Sequence, residues 1–428
     1  MKIIHTSDWH LGHQLYKHDR DDEFEYAIRQ LVEIVDMEQP DALVISGDIF
    51  DTPSPSTSAQ QLYHRSLLLL HEACRSMPIV VIAGNHDGKS FLDVSKDLWQ
   101  LANVHVIGLL DRKPQLEESD KEEPDKAASD FSLADMARAL KAHYNVDKQI
   151  IRIPQKGYIV AIPHIYDAGY PQLAGEYEEA AARREHYFQS LLEVVNQENT
   201  ENFPVVVLAH LALTSGDSGW HDWGSVGGQT TTHQSEFGSQ YSYLALGHIH
   251  KQQTLMTDGK MARYCGSLIP VSFSETESHS VTIIDLKPGI SPVSEDARTQ
   301  EISQLRPLRT MPDTPRPFKE VLHLIESIDP AEDCYLRLQV SITAESPLPP
   351  DAMAQVLRTL EGRKARFCEF KIVAPEKEMV NEPKAIQDPS QLREMTPVQV
   401  AQYAQSEVLP EIYKDMFDEV CARLNQGE

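Results

Sequence analysis

Asp8-Trp9-His10 follows the apolar run Lys2-Ile3-Ile4, and Gly47-Asp48 follows Ala42-Leu43-Val44-Ile45. Gly84-Asn85-His86-Asp87 follows Ile79-Val80-Val81-Ile82. Val205 to Leu208 leads into Ala209-His210, and Leu244-Ala245-Leu246 leads into Gly247-His248-Ile249-His250. Each apolar run reads as a buried strand. Asp, Asn and His therefore recur at the carboxyl ends of strands, the edge of an open α/β sheet where ligands bind. Oxygen and imidazole donors without cysteine suit a divalent ion that works on oxygen. The set reads as a two-metal centre for phosphate-ester hydrolysis.

One such motif alone is weak, because a strand-end Asp is more often a loop or cap residue and a lone His a satisfied structural one. Their ordered recurrence carries the reading. Two cations about 3.5–4 Å apart repel, so a carboxylate has to lie between them. Asp48 is the candidate bridge, since its motif lies between the others in the chain. Carboxylate, amide carbonyl and imidazole together suit Mn²⁺, with Mg²⁺, Fe or Zn²⁺ as lesser options. An imidazole that is not a ligand would return a proton to the leaving alkoxide.

The elements that position these residues follow from periodicity. Glu23 to Glu38 is an expected helix, with Phe24, Ile28, Leu31, Val32 and Val35 at helical spacing. Ser58 to Ser76 is another, and Glu176 to Asn196 a third that leads into the His210 strand. Ser132 to Leu140 reads as helical with Ser132 as N-cap, inside a segment, 111–150, expected to be a solvated variable insertion, with a partner or DNA contact as the alternative. Residues 214–238 form a long loop with Trp220, His221, Trp223 and His233. Its aromatics either stack on unpaired bases or pack the loop onto the domain. Residues 261–286 are expected to close the second sheet. The fold expected is α/β, a four-layer α/β/β/α sandwich over residues 1–290.

Beyond residue 290, a β-α-β-α-β pattern over 300–375 predicts a small α+β capping domain. Arg358, Arg363, Lys364 and Arg366 there either touch phosphate or form an ordinary solvated face. Residues 376–395 read as a linker. Thr396-Pro397-Val398-Gln399 opens a capped helix, and Leu409, Tyr413, Met416, Val420 and Leu424 form one stripe of a second. The helices of 396–428 either fold back or dock on a partner.

The order DWH, GDIFD, GNHD, AH and GHIH resembles the calcineurin-like metallophosphoesterases. HTSDWHLG, SGDIFDTPSPS and LALGHIH…YCGSLIPVSF resemble, more narrowly, the SbcD-type nucleases of the Mre branch. That resemblance implies one metal held by Asp8, His10 and His250, another by Asn85, His210 and His248, and Asp48 between them. It implies that His86 serves the leaving group. Asp51 and Asp87 are expected to orient ligands, or else to cap loops. His5 reads as a core histidine. The resemblance also implies 3′→5′ double-strand exonuclease and single-strand or hairpin endonuclease activity on DNA. The expected partner is an SbcC-type SMC-like ATPase bound by the C-terminal helices. A homodimer inside a heterotetramer is expected, with the Tyr63 helix as its candidate interface. The alternative is a small-molecule phosphodiesterase or phosphatase with the same dimetal site.

The 428 residues carry a formal charge of −26. A protein that binds nucleic acid alone usually shows a basic face, so the partner is expected to supply most DNA affinity. Some of the acids cluster between Glu117 and Asp125. Five scattered cysteines form no metal or disulfide spacing, and no Walker A motif occurs. The chain has no 18-residue apolar run and no signal-peptide pattern after Met1-Lys2, so no membrane contact and a cytoplasmic, nucleoid-associated place are expected.

Overall fold

The computed structural model describes residues 1–114, 131–173, 180–214, 225–226, 229–343 and 346–373. The acidic run of 117–125, Trp220, His221, Trp223, the expected linker and the expected C-terminal helices lie outside these residues.

Strands β1 (Lys2–Thr6), β2 (Ala42–Ile45), β3 (Ile79–Ile82) and β4 (Val104–Ile107) run parallel as neighbours. Helices α1 (Asp21–Glu38) and α2 (Thr57–Ala73) connect the first three. Phe24, Ile28, Leu31 and Val35 are buried on one face of α1, and Asp21, Asp22 and Glu23 offset the positive helix start. Ser56 caps α2, its hydroxyl accepting from the Ala59 N–H at 3.2 Å. Short helices α3 (Lys89–Asp93) and α4 (Lys96–Gln100) precede β4.

A capping box at Ser132 and Asp135 opens α5 (Leu133–His143). Then come β5 (Ile150–Ile153), β6 (Gly157–Ile162), α6 (Ala180–Glu198) and β7 (Val205–His210). The expectation of a solvated insertion does not hold for the described part of 111–150. Met136, Ala137, Leu140 and Tyr144 are buried with α6 in one cluster, because α5 covers the second sheet. In the 214–238 loop, β8 (Leu213–Thr214) pairs with β11 (Thr232–His233), and β9 (Ser225–Val226) with β10 (Gln229–Thr230).

β12 (Tyr243–Gly247), β13 (Gln253–Thr257) and β14 (Lys260–Tyr264) complete a second six-stranded sheet, in the order β13-β14-β12-β7-β6-β5. β15 (Ser280–Asp285) corrects the expectation for 261–286. It runs antiparallel to β1 and, with β16 (Ala297–Glu301), extends the first sheet instead. Its side chains decide this: Ile284 joins the layer between the sheets, and Val281 and Ile283 join the outer layer under α1.

The two sheets face one another through Ile3, Val44, Val80 and Ile82 on one side and Ile159, Val206, Leu208 and Ala245 on the other. Ile4, Leu43, Ile45, Ile79 and Val81 point to the opposite face, against α1 and α2. These strands are buried on both faces, so they read as unbroken apolar runs. The result is a four-layer α/β/β/α sandwich.

The last described part is a three-stranded parallel sheet of β17 (Leu308–Arg316), β18 (Tyr335–Ser341) and β19 (Arg366–Val373), with α7 (Phe318–Glu326) and α8 (Ala352–Thr359) packed on it. It is tied to the sandwich by polar contacts. Arg306 binds Asp22, Glu23 and Asp333, the Tyr335 hydroxyl donates to Glu23 at 2.5 Å, and the His18 ring meets the Phe367 carbonyl at 2.9 Å. Arg363 and Arg366 are occupied locally, Arg363 by the carbonyls of Glu326 and Ile328 and Arg366 by Asp333. Arg358 lies 3.5 Å from Asp351. No described helix is long and apolar enough to cross a membrane. Tyr63 is 1% exposed and packs edge-on against Phe50, so this side chain belongs to the core and not to a dimer surface.

Candidate metal centre

β1, β2 and β3 end at the same edge as β7 and β12, so the five motifs meet where the two sheets abut. Beyond β1 and β2 the chains continue side by side: Asp8 N–H donates to Gly47 O, His10 N–H to Asp48 O, and Leu11 N–H to Ile49 O. The His248 N–H donates to Asp8 Oδ1 at 3.0 Å, joining the second sheet to the first. Asp8, His10, Asp48 and His248 all have positive φ, between 48° and 100°. Non-glycine residues persist in that region only when their surroundings over-determine them, and such strain collects at functional sites.

The side chains form two facing sets. On one side, His10 Nε2 stands 3.1 Å from His250 Nε2, and Asp8, His10 and His250 each offer a donor atom within 4.8 Å of the others. On the other, Asn85 Oδ1 is 3.0 Å from His210 Nε2 and 2.9 Å from His248 Nδ1. Asp48 lies between: its Oδ2 is 3.7 Å from His10 Nε2 and 3.3 Å from His210 Nε2. Asp8, Asp48 and His210 also have mutually close donor atoms. Imidazole nitrogens and carboxylate or amide oxygens that face each other this closely, without thiolate, fit divalent ions.

The electrostatics are those of a buried, mutually dependent set. Burial pushes the Asp48 carboxyl up, but the His210 and His10 rings and the His86 N–H outweigh it and hold the group well below the usual carboxylate range. Burial lowers His210, yet the charges of Asp48 and Asp8 prevail and lift it to about 9. A cation taken up there would displace that proton. Burial and the neighbouring His210 push His248 down to about 4, so it offers a neutral ring.

His86 is exposed, beside the set, with its ring centroid 5.0 Å from that of His10. Its Nδ1 bonds the Asp51 carbonyl at 2.9 Å, which fixes the ring, and His10, Asp51 and His86 have mutually close donor atoms. Asp51 thus acts on His86 through its backbone, while its carboxylate lies 3.7 Å from His10 Nδ1. Asp87 staples two motifs together, its carboxylate accepting the N–H groups of Ile49, Phe50 and Gly84. Burial and the nearby Asp48 charge still push it up to about 6. His5 is a core residue between the Tyr243 and Ser46 hydroxyls, and burial, helped by Arg263, pushes it down to about 3.

Glu275 is absent from the expected set. Its Oε1 meets His250 Nδ1 at 3.0 Å, and its Oε2 accepts the Ser267 hydroxyl at 2.9 Å and the Val271 N–H at 3.2 Å. Nothing in the run Ser274-Glu275-Thr276-Glu277-Ser278 separates it from Glu277, which pairs with Lys251 on the surface.

A four-layer sandwich with Asp, Asn and His gathered at one sheet edge defines a class of metal-dependent phosphoesterases. Residues 1–252 match the calcineurin-like phosphoesterase family, and the chain belongs to it. It is similar to the SbcD subunit of nuclease SbcCD from Bacillus subtilis, 32% identical over 71% of this chain and 69% of the relative. Its counterpart in Rhodobacter capsulatus is 31% identical over 68% of each chain, and that of Escherichia coli 27% over 64% of this chain and 62% of the relative. The chain is thus an enzyme of phosphoester hydrolysis, and phosphodiester hydrolase is the class that suits relatives of this kind.

Proposed function

We propose that the chain is the catalytic part of a metal-dependent DNA nuclease. The observation that carries this is the pair of facing ligand sets across Asp48, with His86 exposed beside them. In this reading Asp8, His10 and His250 hold one ion, and Asn85, His210 and His248 the other. Two divalent ions, Mn²⁺ by preference and Mg²⁺ as the alternative, supply Lewis acidity toward water and phosphate when bound. The protein's own part is positional. The Asp51 carbonyl fixes the His86 ring through Nδ1, so the proton for the leaving alkoxide would come from Nε2 of the imidazolium. The buried strand ends hold the ligand sets at fixed separation, so the ligands need little reorganisation to take up the ions.

The likeness to SbcCD nuclease subunits supports a nuclease, and in this reading it acts on DNA as a double-strand 3′→5′ exonuclease and a single-strand or hairpin endonuclease. In this reading the partner is an SbcC-type SMC-like ATPase met by residues 396–428, and the chain forms a homodimer inside a heterotetramer. In this reading the protein acts in repair, replication and recombination in the cytoplasm, at the nucleoid. Residues 1–290 would be the nuclease domain and 300–375 its cap.

The test is cleavage of single-stranded and hairpin DNA with Mn²⁺, with and without the ATPase. His86→Ala should lower kcat by about 10²- to 10⁴-fold, the range of general acid catalysis, with the bound metal content unchanged. Wild-type protein that hydrolyses cyclic nucleotides and leaves DNA intact, even with the ATPase present, would favour a small-molecule phosphodiesterase.

Glu275 gives a second expectation. A carboxylate on the far nitrogen of a ligating histidine fixes its tautomer and raises its basicity, and its loss costs about 10- to 100-fold in metal affinity. Glu275→Gln should weaken one of the two Mn²⁺ sites toward the low end of that range, and Glu275→Ala toward the high end. The other site should keep its affinity. A Mn²⁺ titration followed by electron paramagnetic resonance reads both sites, and equal weakening of the two would point to general loop damage.

A further inference from the structure

Beside the centre lies a cavity of about 510 Å³, lined by the segments that follow β4 and β6 together with Lys89 of α3, Tyr144 and Arg183 of α6. Three cations, Lys89, Arg112 and Arg183, line it together with Tyr144, Tyr166 and Tyr170, and among the described residues no Asp or Glu does. In a chain with 65 acids against 39 Lys and Arg, such a lining is a local reversal of charge. None of the three cations forms an ion pair with a described residue, and Arg183 Nε has no hydrogen-bond partner among them. Lys89 Nζ sits 4.6 Å from the centroid of the Tyr166 ring, and Arg112 lies 5.7 Å from that of Tyr144. Tyr166 is 58% exposed, so its ring is open to a ligand.

The cavity connects to the centre through His164. The His164 N–H donates to the Ala83 carbonyl at the end of β3, next to the Gly84-Asn85-His86 motif. Its ring lies 4.8 Å from that of Tyr166 and 6.3 Å from that of His210. Tyr166, His164 and His210 thus form a row of rings from the cavity to the metal ligands.

We infer that this cavity is a subsite for an unpaired nucleotide flanking the scissile phosphate, with Tyr166 stacking on the base and Lys89 and Arg183 holding the adjoining phosphate. Exposed aromatic rings bind bases of any sequence by their π-faces, and lysine and arginine track the backbone between them. A cavity of this size has room for a nucleotide and none for a duplex, so it selects a strand that is already single or has been opened. The identity of the ligand rests on the nuclease reading above. The net negative charge of the chain makes a localised basic pocket more useful for holding a phosphate.

Full-length wild type, Tyr166→Ala and a Lys89→Ala/Arg183→Ala double variant, all loaded with Mn²⁺, would be compared on two substrates. One is a fluorescent dT15 oligonucleotide. The other is bis(p-nitrophenyl) phosphate, a diester too small to reach from the centre to Tyr166. The ratio of kcat/KM on dT15 to that on the small diester should fall about tenfold or more in each variant. Equal losses on both substrates, or none on dT15, would overturn the subsite. Fluorescence anisotropy of dT15 in EDTA separates the two proposals. Binding that depends on Tyr166, in a protein that hydrolyses only the small diester, would overturn the nuclease and keep the subsite. Cleavage of dT15 indifferent to both variants would do the reverse.

Discussion

Asp48→Asn is expected to lower phosphodiester hydrolysis by about three orders of magnitude, which corresponds to ~4 kcal/mol of transition-state stabilisation. The carboxylate is 2% exposed and reaches both ligand sets, and its Oδ1 also accepts the His86 N–H at 2.9 Å. An amide keeps the shape and can keep that last bond. It removes the charge that makes two neighbouring cations tolerable. Metal analysis should therefore show fewer than two ions bound, and a variant that keeps both ions and the wild-type rate would sink the bridging role. The same substitution has a signature in the ion-free protein. The folded value of Asp48 is depressed, so its stabilising share is full above about 4, the ordinary value, and is lost on acidification. The folded value of His210 is raised, so its share is full below about 6.5 and is lost as pH rises through about 9. The pair is thus worth most between about pH 4 and 6.5, and its worth declines from there until it is lost as pH rises through about 9. In EDTA the Tm deficit of Asp48→Asn should be widest in that window and narrow on both sides.

The strand ends were legible because parallel strands buried on both faces leave unbroken apolar runs, and the polar residues that follow them stand out. Asp8, His10, Asp48, Asn85, His210, His248 and His250 do come together, from positions up to 242 residues apart in the sequence (250 − 8). Features that depend on long-range pairing were not legible. The alternating residues of Ser280–Asp285 suit an edge of either sheet, and only the register of Ile4 with Ile283 assigns them to the first. Met136 and Leu140 sit in a helix as short and mixed as a surface helix, and their burial depends on α6, which begins 40 residues after Leu140 (180 − 140). Glu275 meets His250 across 25 residues, with no periodicity to mark the pair. Tyr63 carries a hydroxyl that suggests a surface, yet the ring fills space beside Phe50.

Gly84→Ala is expected to be as damaging as the loss of a ligand. A Cβ built on Gly84 would lie 2.1 Å from Asp48 Oδ1 and 2.3 Å from the Asp48 backbone nitrogen. The carboxylate cannot turn away without leaving both ligand sets, and the nitrogen belongs to the loop that carries it. The end of β3 must therefore move, and Asn85 and His86 move with it. Overpacking of this kind costs about 1–3 kcal/mol of stability, and a shift of about 1 Å in reacting groups costs about 10²-fold in rate. Gly259→Ala is the matched control. Gly259 has a φ of +71°, so alanine there meets backbone strain, but no atom lies within 4 Å of its Cβ position. It should lose about 1–2 kcal/mol and keep its rate. Similar hydrolysis by the two variants would mean that the strand ends have slack. A tenfold or greater gap would mean that glycine is required at Gly84 by contact, with backbone freedom a lesser part. Similar crowding accounts for the glycines that open two other motifs: a Cβ on Gly47 would meet the His210 ring, and one on Gly247 the Ser46 carbonyl and the same ring. The two sheets bring these Asp, Asn and His side chains within reach of one another only where glycine stands at the crossing.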